Sequence, residues 1–150
     1  MDKLSKRLAK AKVIGLDPSV FVYFLENNPR YAPLAQITLK GIENGRWQGV
    51  TSTITLMETT FRPWQLGYEA AAREYEATLV HFPNLTIADV DRDVARAAAQ
   101  IRAKYKVSPP DASQVAASVS FSANAFLTND KRLSKSEEVI GIIRMDDYFK

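Results

Sequence analysis

An α/β fold with a mostly parallel central sheet is the architecture this sequence predicts. Short continuous apolar runs such as VIGL (13–16) and AFL (125–127) have the composition of strands buried on both faces. Longer stretches with helical spacing lie between such runs, and Pro, Asn-Gly or Asp punctuates many of the junctions. Strands that alternate with helices pair in parallel, because each helix carries the chain back to the same end of the sheet.

Taken in order, the first strand is KVIGLD (12–17). Pro18 suits the first turn of a helix running to residue 25, with Asp17 or Ser19 at its cap. Helical patterning resumes over 31–44 and stops at Asn44-Gly45, a good C-cap. WQGVTSTI (47–54) supplies the second strand and leads straight into a helix across 55–61. Residues 64–81, rich in Ala and Glu, are expected to form one long helix. LTIAD (85–89) reads as a third strand, with Asp89 placed to cap a helix from 90 to about 105. SPPD (108–111) breaks the chain and opens a helix over 112–123. AFLTN (125–129) and EEVIGIIRM (137–145) provide the remaining strands. No internal repeat or low-complexity tract intervenes. The expected organisation is a basic extension, 1–12, followed by a single domain, 13–150.

Composition narrows the function classes. The 150 residues hold 46% hydrophobic and 25% charged side chains, typical of a globular domain with a core of its own. There is no cysteine, which removes disulfides and cysteine-ligated zinc and fits a cytoplasmic protein. The longest apolar run, VFVYFL (20–25), is far too short to span a bilayer, and VIGL is too short for a signal peptide. The net charge of +3 is uneven: residues 1–12 carry five basic side chains against Asp2, so the rest of the chain sums to −1. That basicity is read as a solvated tail rather than as evidence for a nucleic-acid partner.

Two strand-like runs end in a carboxylate, at Asp17 and at Asp130. In an open parallel sheet, ligands sit beyond the carboxyl ends of the strands, where strand order reverses. Two further carboxylates fall on helices. Glu58 sits at i+4 of the pattern Ile54, Met57, Phe61, where an apolar stripe would continue, and a carboxylate there needs a partner. Asp111 shares a helical face with Val115 and Val119 and lies at the positive end of its helix. Each has an ordinary alternative: an N-cap for Asp17 and Asp111, a turn residue for Asp130, an Arg-paired side chain for Glu58.

The four together resemble the PIN domain family, and within it the VapC-type toxins of toxin–antitoxin systems. The resemblance rests on LDPSVFVYFLE with Asp17 and Ser19, TSTITLMET with Glu58, and PPDASQVAASVSFSANAFLTND with Asp111 and Asp130. It covers roughly residues 13–133. The basic extension precedes the usual start, and SPPDAS is more polar than the family's entry to this Asp. The resemblance implies a three-layer α/β/α fold and a Mg²⁺- or Mn²⁺-dependent endoribonuclease. Asp17, Glu58 and Asp111 would hold the principal metal, with Asp130 bonding directly or through water. Ser19, Thr128 and Asn129 would orient the ligands or the attacking water. It also implies a cognate antitoxin and a homodimer.

The residue chemistry points the same way independently. Carboxylates converging on one pocket repel unless a cation neutralises them. Hard oxygen donors, with no Cys and one His, suit Mg²⁺ or Mn²⁺.

Arg102, Lys104, Lys131 and Arg132 flank these motifs and are candidate RNA contacts. Trp47 and Trp64, each near an Arg, are expected at core edges rather than stacked on bases, and His81 in a structural or surface role. The aromatic-rich stretch 18–42 offers a surface for the dimer or the antitoxin. A non-catalytic PIN-like module binding RNA or protein is the alternative of another class. A phosphatase or receiver-like use of Asp17 ranks below it, because only one Asp follows the first strand.

Overall fold

The computed structural model describes residues 2–149. Its centre is a five-stranded sheet formed by β1 (Val13–Leu16), β2 (Gln48–Ser52), β3 (Leu85–Ala88), β4 (Ala125–Thr128) and β5 (Gly141–Arg144). The strand order is β3-β2-β1-β4-β5 and every pairing is parallel. Strand direction of side chains alternates with a period of two, so the central strands feed two cores. Ile14, Leu16, Ala125 and Leu127 join one, beneath α1 (Lys3–Ala11), α2 (Pro18–Leu25) and α3 (Ala32–Glu43). Phe126 joins the other, beneath α6 (Arg92–Tyr105) and α7 (Pro109–Ser120). The result is the three-layer α/β/α arrangement that the sequence predicts.

The chain leaves β1 toward β2 and β3, then crosses back to place β4 on the other side of β1. Strand order therefore reverses between β1 and β4, which opens a crevice at their carboxyl ends.

Several local expectations are corrected. Residues 2–12 are no solvated tail. Asp2 caps α1 by accepting from Ser5 N at 2.8 Å, and Leu4, Leu8 and Ala11 are buried in the first core. Residues 64–81 are not one helix. α4 (Thr53–Gln65) runs through Pro63, and Gly67 at φ +77° turns the chain into α5 (Glu69–Val80). Asp91, not Asp89, caps α6, accepting from Val94 N at 2.9 Å. Ser108 caps α7, so Asp111 lies within its first turn instead of at the cap. β5 is confined to Gly141–Arg144, because a 3₁₀ segment (Lys131–Ser136) and a turn take up the residues before it. Trp47 is buried and donates Nε1–H to Thr38 O at 2.9 Å, whereas Trp64 is an exposed residue of α4. Among the described residues, no helix is long and apolar enough to cross a membrane.

Candidate active site

The crevice at the switch between β1 and β4 has a volume of about 410 Å³, and its walls include Asp17, Glu58, Asp111 and Asp130. Four different pieces of chain supply them. Asp17 follows β1 and caps α2: Oδ1 accepts from Ser19 N at 2.9 Å. Its other oxygen, Oδ2, accepts from Thr128 Oγ1 at 2.8 Å, and Thr128 Oγ1 accepts from Asp130 N at 3.1 Å. One hydroxyl thus laces the ends of β1 and β4 together. Asn129 reaches the other way, donating to the Tyr23 hydroxyl at 3.4 Å and accepting from Asp146 N at 3.3 Å.

Glu58 reaches the cleft for a different reason from the one its spacing suggests. The buried face of α4 is Thr55, Thr59, Thr60 and Pro63, while Met57 and Phe61 are 55% and 60% exposed. Glu58 is therefore an exposed residue on the cleft rim, not a carboxylate on a buried stripe. Threonines take the inner face because Thr59 and Thr60 bond back to the carbonyls of Thr55 and Leu56, at 2.7 and 2.6 Å.

The electrostatics are unequal. Burial raises the Asp111 carboxyl above the ordinary range; the charges of Asp17 and Asp130 add to the rise, and a Ser108 hydrogen bond opposes it. Asp130 is lowered, chiefly because the Arg132 guanidinium grips both its oxygens, with Nε–Oδ1 at 3.0 Å and Nη2–Oδ2 at 2.7 Å. Lys131 lines an adjoining cleft with Asp17, Asp111 and Asn129. Arg102 and Lys104 do not face this site. Arg102 Nε donates to Val107 O at 3.4 Å, and Lys104 pairs with Glu138 at 3.3 Å.

The donor set suits a hard cation in kind: carboxylate oxygens, with the buried and unpartnered Ser19 Oγ on the same wall. Among the described residues, no three His, Cys, Asp or Glu side chains stand close enough together to hold a metal ion. The hydrogen bonds explain the spread, since Asp130 is turned onto Arg132 and Asp17 onto Thr128 and the α2 amide. One cleft residue escaped the sequence reading altogether. Gln114 is 2% exposed and lines the same wall. Its signal was a long polar side chain in the otherwise small, apolar run of α7, three residues after Asp111.

A family model for the PIN domain matches residues 14–138. This chain belongs to the PIN domain family. A search of curated proteins found no match. Among solved structures, a toxin–antitoxin complex from Klebsiella pneumoniae superposes with a TM-score of 0.63 at 20% identity, covering 89% of this chain and 97% of that one. VapBC2 from Rickettsia felis, bound to a DNA fragment from its promoter, gives a TM-score of 0.64 at 13% identity, covering 88% and 98%. At these identities the likeness is one of fold, and it extends over 89% and 88% of this chain.

Proposed function

We propose that this PIN-family chain is a divalent-metal-dependent endoribonuclease and the toxin of a toxin–antitoxin pair. The observation that carries the reading is the convergence of Asp17, Glu58, Asp111 and Asp130 on one crevice at the strand-order switch. Asp17, Glu58 and Asp111 would close on Mg²⁺ or Mn²⁺ from positions that are too far apart to hold it as they stand, with Asp130 joining them once released from Arg132. Such an ion supplies Lewis acidity, a more acidic bound water and charge stabilisation at the phosphodiester. The chain's own part is to hold Asp17 fixed through Thr128 and Ser19 N, and to keep Asp111 half-buried against neighbouring charges. Lys131 and Arg132, on the cleft walls, are suited to hold phosphate.

The fold's likeness to toxins in complex with antitoxins supports an antitoxin partner here. An apolar surface suits such a partner. Met57, Phe61 and Trp64 follow one another at helical spacing on the exposed side of α4, and Leu66 and Tyr68 extend the patch. The aromatics of 18–42 contribute less to open surface than their number suggests: Phe21 is buried, and Tyr23 stacks on Tyr31 with ring centroids 4.5 Å apart.

The test is cleavage of total RNA by purified protein with Mg²⁺ or Mn²⁺, with EDTA, and with Asp17→Asn. Cleavage lost in both controls supports the metallonuclease. Folded, antitoxin-free protein that cuts nothing under any condition would instead favour the non-catalytic binding module.

A further inference from the structure

The wall of the carboxylate cleft contains a polar chain whose direction can be worked out bond by bond. Thr51 Oγ1 donates its only proton to Leu16 O, 2.9 Å away at the end of β1. Thr51 and Thr55 hydroxyls lie 2.6 Å apart, and since the Thr51 proton is already committed, Thr55 must donate to Thr51. Thr55 then has only lone pairs to offer, and it accepts from Gln114 Nε2 at 2.8 Å. The amide of Gln114 is fixed by this order. Turning it over would set its carbonyl oxygen against a hydroxyl with no proton left to give. All three side chains are buried, so water does not relax the constraint.

The consequence falls on Oε1. It is the buried end of a residue on the cleft wall, and it has no hydrogen-bond partner in the protein. An acceptor buried unpaired loses its hydrogen bond to water and gains none in return. The two hydroxyls before it in the chain are fully matched, so the deficit is confined to Oε1 of this cleft-wall residue.

We propose that Gln114 Oε1 is a substrate-positioning acceptor for an O–H group that enters the carboxylate cleft. This rests on the nuclease reading above and names a residue for it. Two groups in a phosphodiester cleft have the right chemistry: a water, and the 2′-hydroxyl of a ribose. A DNA strand lacks the second, which makes the two sources separable. Gln114 would then act on RNA choice in one case and on turnover of either strand in the other.

The experiment compares wild type, Gln114→Met and Gln114→Glu. Met has similar length and no comparable acceptor, whereas a Glu kept protonated by burial donates its O–H to Thr55 in place of the amide N–H and retains a carbonyl acceptor oxygen. Thermal melts establish that each protein is folded. Cleavage and binding are measured with a fluorescein-labelled single-stranded RNA oligonucleotide and with DNA of the same sequence, the binding by anisotropy in EDTA. If the donor is the ribose hydroxyl, Gln114→Met loses about three- to tenfold of the wild-type preference for RNA binding, the size of one neutral hydrogen bond. If it is a water, kcat falls by a similar factor on any strand cut, with KM and the RNA preference unchanged. In either case Gln114→Glu recovers most of the loss. A folded Gln114→Met protein with wild-type kcat, KM and strand preference overturns the assignment while leaving the nuclease intact. A loss that Glu fails to repair assigns Gln114 to packing and also overturns it. Wild-type protein that neither binds nor cuts RNA overturns both readings together.

Discussion

Asp111 and Asp130 are neighbours in one cleft with opposite shifts, and the difference has measurable consequences. The Asp111 carboxyl is raised above its ordinary value of 3.8, so its ionised form is disfavoured in the folded state. In metal-free protein that penalty is absent below pH 3.8 and grows as the pH rises through the raised value. Asp130 runs the other way: its contribution is present above 3.8 and is lost as the pH falls through its lowered value. Asp111→Asn removes the first effect alone. The variant is expected to melt above wild type at neutral pH without metal, by about 2–4 °C for each kcal/mol relieved in a chain of this size. The gap should close toward pH 3.8, as followed by thermal melts across that range. Adding Mn²⁺ reverses the order, raising the wild-type midpoint much more than that of Asp111→Asn, and EDTA restores it. Equal stabilisation of both proteins by Mn²⁺ would remove Asp111 from the proposed metal site. For Asp130, replacing Arg132 by Ala removes the bidentate partner, and the Asp130 carboxyl should titrate higher by NMR.

At the scale of elements, α7 delivers both Asp111 and Gln114, and its distance from the sheet is set by a glycine. A Cβ on Gly15 of β1 would stand 2.6 Å from Ser118 Cβ and 2.8 Å from the Phe126 ring. Neither neighbour can yield easily, since Ser118 is buried on α7 and Phe126 is buried in the adjacent strand. Gly15→Ala is expected to cost about 1–3 kcal/mol in urea denaturation. The same substitution is expected to push α7 outward, so the proposed RNA cleavage should fall in conditions where the protein remains folded. A variant with wild-type stability would show that α7 moves freely over β1. α4 presents the complementary case. Thr55, Thr59 and Thr60 face inward, the last two bonding to backbone carbonyls, which leaves Met57, Phe61 and Trp64 outside and Glu58 at the cleft rim.

Over the whole molecule, α1 closes the first core. It packs against α3, and Leu4 and Leu8, one helical turn apart, are 1% and 0% exposed. Leu8→Ala should destabilise by about 2–5 kcal/mol, as truncation of a buried leucine does. A solvated extension would show no change, so a urea titration decides between the two. The exposed apolar patch around Phe61 has a consequence at the same scale. In the absence of the proposed antitoxin, Phe61→Asp is expected to reduce self-association of the purified protein, read by light scattering at micromolar concentration. Unchanged association would place any dimer contact elsewhere on the surface.

The strand runs, the helix-opening prolines and the motif carboxylates were legible in the sequence, because each depends on local chemistry. VIGL and AFLT read as buried strands once turn residues bounded them, and the motifs around Asp17, Glu58, Asp111 and Asp130, in that order and spacing, indicated the PIN family. Helix boundaries were less legible. Gly67 could be read as a tolerated helix residue until its positive φ separated α4 from α5, and Asp89 and Asp91 competed for one cap. Only the tertiary structure decided which side of each helix meets the sheet. That choice buries Leu4 and Leu8 of a segment whose lysines suggested a tail, and exposes Met57 and Phe61 of a segment whose spacing suggested a core. It also brings Gln114, Thr55, Thr51 and Leu16 into a single chain of hydrogen bonds across four elements. Periodicity shows that a helix has two faces; which face is buried depends on partners far away along the chain.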